Sequence, residues 1–236
     1  MSPLRGTAGM TTRAMTAALV ALGLVCGSVP AVQAATYVLG DSLGVGIAQA
    51  AHTKGLAKIG IHIRGPKALA QFAQTPNGAT VFLALGTNDA EGGIARLDKS
   101  IEDIVQAAEK KDITLIWLGP PCVRKAWDSR ARELDAVLCR KLADTAANYV
   151  SMRDEVLCSG SLHEPDGIHL KTRGYVHMWE RARLAAALVQ TSPAALVQAS
   201  AAASPEVTGT VAALPAAAGL LRPKLMCSTI SRGGSD

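Results

Sequence analysis

The stretch YVLGDSLGVG, residues 37–46, runs from apolar side chains straight into Gly-Asp-Ser and a glycine-rich continuation. A run without polar alternation reads as a strand covered on both faces, as parallel strands are. The serine then falls where that strand hands over to a helix. In an open parallel sheet ligands gather at the carboxyl ends of the strands, so Ser42 stands where chemistry is expected.

Similar short runs recur outward from this point: TYVLG at 36–40, AKIGIHI at 57–63, ATVFLALG at 79–86, ITLIWLG at 113–119 and NYVSM at 148–152. Helical spacing lies between them. Ile94, Leu97, Ile101, Ile104, Val105 and Ala108 form one stripe, and Leu134, Leu138 and Leu142 another. A third begins near Thr172 and sets Tyr175, Met178, Trp179 and Ala182 on one face. Alternating strand and helix predicts an α/β fold with three α/β/α layers around a doubly wound, five-stranded parallel sheet.

The chain has 236 residues, enough for one such domain with a sizeable core. Hydrophobic residues make up 49% but aromatics only 3%, so the core is expected to be aliphatic. Part of the apolar excess lies at the start. Arg5 and Arg13 precede the apolar run MTAALVALGLVCGSVP, and AVQA follows with small Val32 and Ala34, which is the layout of a signal peptide over residues 1–34. The uninterrupted run is shorter than the ~20 residues of a membrane span. Val25 is too bulky for lipoprotein processing at Cys26, and either Met1 or Met10 could start the chain. Loss of Arg5 and Arg13 with the leader lowers the formal charge of +5 to +3. That mild basicity, without interleaved aromatics, is at best a weak argument for nucleic acid, and no nucleic-acid partner is expected. The expected location is periplasmic or secreted, without an integral membrane span once the leader is cleaved.

Residues 35–190 then form the domain. Residues 191–236 are rich in Ala, Pro, Ser and Thr and nearly devoid of acids, a composition that does not build a core and predicts a disordered tail. VAALPAAAGLL within it offers an alternative, a short helix contacting the envelope.

The residues that follow the predicted strands form a chemical set. A serine hydroxyl needs an imidazole to take its proton, and the imidazole needs a carboxylate to fix its tautomer. In EPDGIHL, Asp166 and His169 are separated by two residues, one of them Gly167, so a turn can fold the carboxylate onto Nδ1 and leave Nε2 to face Ser42. Acyl transfer also needs donors for an oxyanion. Candidates are the Ser42 N–H at a helix start, the Gly65 N–H and the side-chain amide of Asn88 in GTND.

These blocks resemble the SGNH hydrolases of the GDSL esterase/lipase superfamily. GDSL at Gly40–Leu43, GTND at Gly86–Asp89 and Asp-x-x-His at Asp166–His169 occur in the order of that family across residues 36–190. The resemblance implies a flavodoxin-like fold and an acyl-serine esterase without metal or organic cofactor. Ser42 would be nucleophile and first oxyanion donor, Asn88 a further donor, His169 the base and Asp166 its orienter. The glycine of the remaining family block is assigned to Gly65 in HIRGPKA, where Pro66 is an unusual successor. Substrates would be small-molecule or glycan-linked esters, with small acyl groups. The alternatives are an acetyl esterase acting on envelope polysaccharide or peptidoglycan, and a silent envelope-binding module on the same fold.

Other readings of the same residues stay open at this level. Asp41 and Ser42 could cap the first helix. Asn88 and Asp89 could be turn formers before a helix starting near Ile94, the reading favoured for Asp89. His163, Asp166 and His169 are spaced as a conceivable metal set, though Pro165 and Gly167 deny them a regular helix. Arg124, Lys125 and Trp127 could border the pocket, although such a cluster is more often a solvated loop with one packed aromatic. Among the cysteines, strands four and five should be neighbours and bring the loops of Cys122 and Cys158 together as a disulfide, leaving Cys139 in mid-helix and Cys227 in the tail free.

Overall fold

Five parallel strands lie in the order β2-β1-β3-β4-β5 in a computed structural model that describes residues 34–190. The predicted leader apart from Ala34, the tail from residue 191, Cys26 and Cys227 lie outside the described residues. The strands are β1 (Thr36–Gly40), β2 (Lys54–Gly55), β3 (Thr80–Ala84), β4 (Thr114–Leu118) and β5 (Asn148–Val150). Among the described residues the helices are α1 (Ser42–Ala50), α2 (Pro66–Ala73), α3 (Thr87–Gly92), α4 (Asp98–Glu109), α5 (Asp128–Leu142), α6 (Glu155–Cys158) and α7 (Thr172–Gln190).

The apolar runs are continuous because successive strand residues enter different cores. Leu39, Val81, Leu83, Leu115, Trp117 and Tyr149 pack with α2, α4 and α5. Their neighbours Val38, Phe82, Ala84, Ile116, Leu118 and Val150 pack with α1 and α7. This is the expected three-layer arrangement, and side-chain alternation along each strand produces it.

The chain reverses winding direction between β1 and β3, which are adjacent while β2 lies outside them. Such a switch point opens a crevice at the carboxyl ends of the two strands. Gly40, Asp41 and Ser42 emerge there from β1, and Gly86 to Asp89 from β3.

The second strand departs from the sequence reading. It comprises only Lys54 and Gly55, and 57–63 is a loop over the sheet end. Ile61 and Ile63 are buried and His62 is exposed, which gives a strand-like alternation. After Lys58, whose N–H still donates to the Gly40 carbonyl of β1 at 3.0 Å, the buried residues bond to side chains instead of a ladder: Ile61 O accepts from Asn88 and Ile63 N–H donates to Asp89. Ile59, counted as apolar strand, is 82% exposed.

Cys122 and Cys158 form a disulfide with Cα atoms 5.0 Å apart, as the adjacency of β4 and β5 predicted. Cys139 corrects the reading above, because it too is disulfide-bonded. A helix turns one side chain toward other segments every turn, so a place in mid-helix is no bar to a bridge.

Candidate active site

Three segments far apart in sequence meet at the switch point. Ser42 Oγ lies 2.9 Å from His169 Nε2, and His169 Nδ1 lies 2.5 Å from Asp166 Oδ2. With Asp166 as carboxylate, Nδ1 carries the proton and Nε2 is left to accept from the serine hydroxyl. This is the serial contact that the sequence anticipated for these three side chains.

Each member is held by its own local structure. Asp41 is the N-cap of α1, its Oδ1 accepting the Leu43 N–H at 2.9 Å, so Ser42 is the first helical residue. The capping reading and the catalytic reading therefore describe neighbouring residues. At that position the Ser42 N–H has no intrahelical acceptor and points out of the positive end of the helix. Gly40 makes the approach possible: its φ is +118°, and a Cβ there would sit 1.8 Å from the Ala84 carbonyl oxygen. Gln71 clamps this turn by accepting the Gly40 N–H at 2.8 Å and donating to the Gly40 carbonyl at 2.9 Å. The sequence carried no sign of that role for Gln71.

The Asp166–His169 turn closes on itself. Asp166 Oδ1 accepts the N–H groups of Ile168 and His169, both at 2.9 Å, and the Glu164 N–H donates to the His169 carbonyl at 2.8 Å. Gly167, at φ +70°, takes the left-handed conformation this turn requires, and its carbonyl accepts the Arg124 N–H at 2.7 Å. Burial raises the Asp166 carboxyl, but the His169 ring and the two N–H groups outweigh it and hold the group down to about 2.

Asn88 lies in the first turn of α3 and donates one amide hydrogen to Ile61 O at 2.8 Å, leaving its second hydrogen. Gly65 is the N-cap of α2 with φ +94° and is exposed. Pro66 after it occupies N1, where a proline's missing N–H has no helical partner in any case, so the successor that looked unusual suits the position.

The structure overturns one further reading and places the other residues singled out in the sequence. Asp89 belongs to α3, is wholly buried and accepts the Ile63 N–H at 2.8 Å, so it is no surface turn former. His163 Nε2 bonds to the Cys122 carbonyl at 2.7 Å, whereas His169 faces Asp166 and Ser42, so the two rings serve different partners. Trp127 packs against the core on the α5 side of the sheet, while Arg124 and Lys125 are exposed. His177 pairs with Asp154 at 2.8 Å.

No family model and no curated protein matches the chain. Solved structures do. A protein assigned to the G-D-S-L lipolytic family, from Desulfitobacterium hafniense DCB-2, aligns with TM-score 0.51 at 14% identity, covering 65% of this chain and 99% of that one. A catalytic mutant of the acetylxylan esterase Axe2 from Geobacillus stearothermophilus aligns with TM-score 0.51 at 15% identity, covering 64% and 94%. This chain carries the SGNH/GDSL hydrolase fold. A third match, the psychrotrophic esterase EstA from Pseudoalteromonas sp., has TM-score 0.51 at 12% identity over 66% of this chain and 97% of its own. Identities this low speak to architecture; the chemistry rests on the site itself.

Proposed function

We propose that the protein is an exported serine esterase that cleaves carboxylic esters through an acyl-serine intermediate. One observation carries the reading: the unbroken series from Ser42 Oγ through both ring nitrogens of His169 to Asp166 at the open end of the sheet. In the proposed cycle His169 Nε2 takes the hydroxyl proton as Ser42 Oγ bonds to the ester carbon. The resulting oxyanion receives the N–H groups of Ser42 and Gly65 and the free amide hydrogen of Asn88. His169 then protonates the departing alcohol. Water, deprotonated by the same nitrogen, releases the acid and restores the serine. Asp166 stays charged throughout, keeping the Nδ1 proton in place.

A small acyl group on a glycan is the substrate class favoured within this reading, supported by the likeness to the acetylxylan esterase. The proposed location is periplasmic or secreted. The Cys122–Cys158 bridge is compatible with an oxidising compartment, and no helix among the described residues is long and apolar enough to cross a membrane. Contact of the tail with the envelope remains part of the proposal.

The test is turnover of p-nitrophenyl acetate and of acetylated xylan by the wild type and by Ser42→Ala, with fluorophosphonate labelling alongside. Turnover and labelling by the wild type alone are expected. Wild-type rates in Ser42→Ala would refute the nucleophile. A wild type that is neither labelled nor active would support the silent binding module instead.

A further inference from the structure

Asn88 and Asp89 are consecutive residues of α3 that grip the same loop. Asn88 holds Ile61 by its carbonyl, and Asp89 Oδ2 holds Ile63 by its N–H, each at 2.8 Å. Gly65 follows two residues later. Beyond the Lys58 N–H bond to the Gly40 carbonyl of β1, residues 61–63 make no ladder bonds, so their course over the sheet end depends on such side chains.

The carboxylate doing this is costly. Asp89 is 0% exposed, and its second oxygen, Oδ1, has no hydrogen-bond partner; His62 and Arg64 approach that oxygen only to 3.8 and 3.9 Å. Asp41, itself 1% exposed with Oδ2 unpartnered, lies near enough to repel it. Burial accordingly raises the Asp89 carboxyl, while the N–H groups of Ile63 and Arg64 and the charges of His62 and Arg64 oppose the rise. A core needing one acceptor for one N–H could use a neutral side chain at lower cost. What this side chain holds through the Ile63 N–H is the backbone that leads to Gly65.

We propose that Asp89 is a positioning residue that fixes the Ile61–Gly65 segment, and with it the Gly65 N–H, relative to Ser42. It touches no reacting atom. The inference rests on the acyl-serine reading, in which that N–H faces the oxyanion. Positioning of a donor matters most when charge develops, so its loss lowers kcat more than it raises KM.

The full chain with Asp89→Ala and with Asp89→Asn tests this, using p-nitrophenyl acetate kinetics and amide hydrogen exchange of peptides spanning 61–65 and 80–84. Asp89→Ala should lose at least tenfold in kcat with KM within threefold, and exchange faster in 61–65 alone. Asp89→Asn, whose amide oxygen still accepts from Ile63, should rescue most of the kcat and the protection. Wild-type kcat in Asp89→Ala overturns the proposal, as does faster exchange reaching 80–84 with kcat and KM changing together. Where Asp89→Ala does not fold, Asp89→Asn decides. A tenfold loss of kcat with intact 61–65 protection would mean that Asp89 acts some other way. Exchange is read independently of turnover, so an inactive wild type would sink the esterase reading while the hold on 61–65 is still measured.

Discussion

Asp41 and Asp166 are both carboxylates within a few residues of Ser42 or His169, yet their surroundings push them in opposite directions. Desolvation raises Asp41 to about 7; the Leu43 N–H opposes this, and the nearby Asp89 adds to it. Because the folded state binds this proton more tightly than the unfolded chain, Asp41 contributes a loss of stability as pH climbs from about 4 to about 7. Asp166, held near 2, contributes stability that is present above about pH 4 and lost on acidification toward 2. Asn caps a helix as well as Asp does. Asp41→Asn should therefore keep the N-terminus of α1 while flattening the decline in Tm between pH 5 and pH 8. Thermal melts at the two pH values check it; a decline as steep as that of the wild type would show that Asp41 is not the group responsible. Of these residues, Ser42, Asn88, Asp166 and His169 were legible in the sequence because they stand in motifs of distinctive spacing. Asp89 and Gln71 were not, since their partners are backbone groups of segments 26 and 31 residues away.

At the scale of elements, α1 and α7 meet through glycine. A Cβ on Gly46 would come within 2.6 Å of three atoms of the Tyr175 ring, and one on Gly44 would meet Ala57 Cβ at 2.8 Å. The Tyr175 hydroxyl in turn lies 3.4 Å from the Leu170 N–H, next to His169. Gly46→Ala should therefore push Tyr175 away, lowering Tm and slowing ester turnover together; overpacking of this kind costs ~1–3 kcal/mol. A Tm and kcat both unchanged would show that the ring moves aside freely. Four strands and the main helices were readable from periodicity, because side-chain alternation and the 3.6-residue repeat are local properties. The edge strand was misread for an equally physical reason. The loop 57–63 buries alternate residues like a strand, but past Lys58 its buried residues bond to α3 side chains instead of neighbouring strands.

For the whole molecule, the Cys122–Cys158 bridge joins the loop after β4 to the end of α6, closing 36 residues of chain. Loop-closure entropy puts its contribution at about 4 kcal/mol. Reduction, or the Cys122→Ala/Cys158→Ala double variant, should lower stability by an amount of that order in denaturant titrations. The same change should loosen the Asp166–His169 turn, because the Arg124 N–H that supports Gly167 lies two residues from Cys122. A variant with unchanged midpoint and activity would show that neighbouring packing alone orders both loops.

The amino-acid sequence by itself determined the layering of the fold and the identity of the three side chains in series, because both are written in local spacing: apolar runs, helical stripes, and an Asp-x-x-His turn. Tertiary structure alone decided which residues support them. The clamp of Gln71 on Gly40, the hold of Asp89 on Ile63, the glycine contact of α1 with Tyr175 and the course of 57–63 all join segments distant in the chain. Their energies come from burial and from backbone groups that every residue carries alike, so no residue pattern marks them in advance.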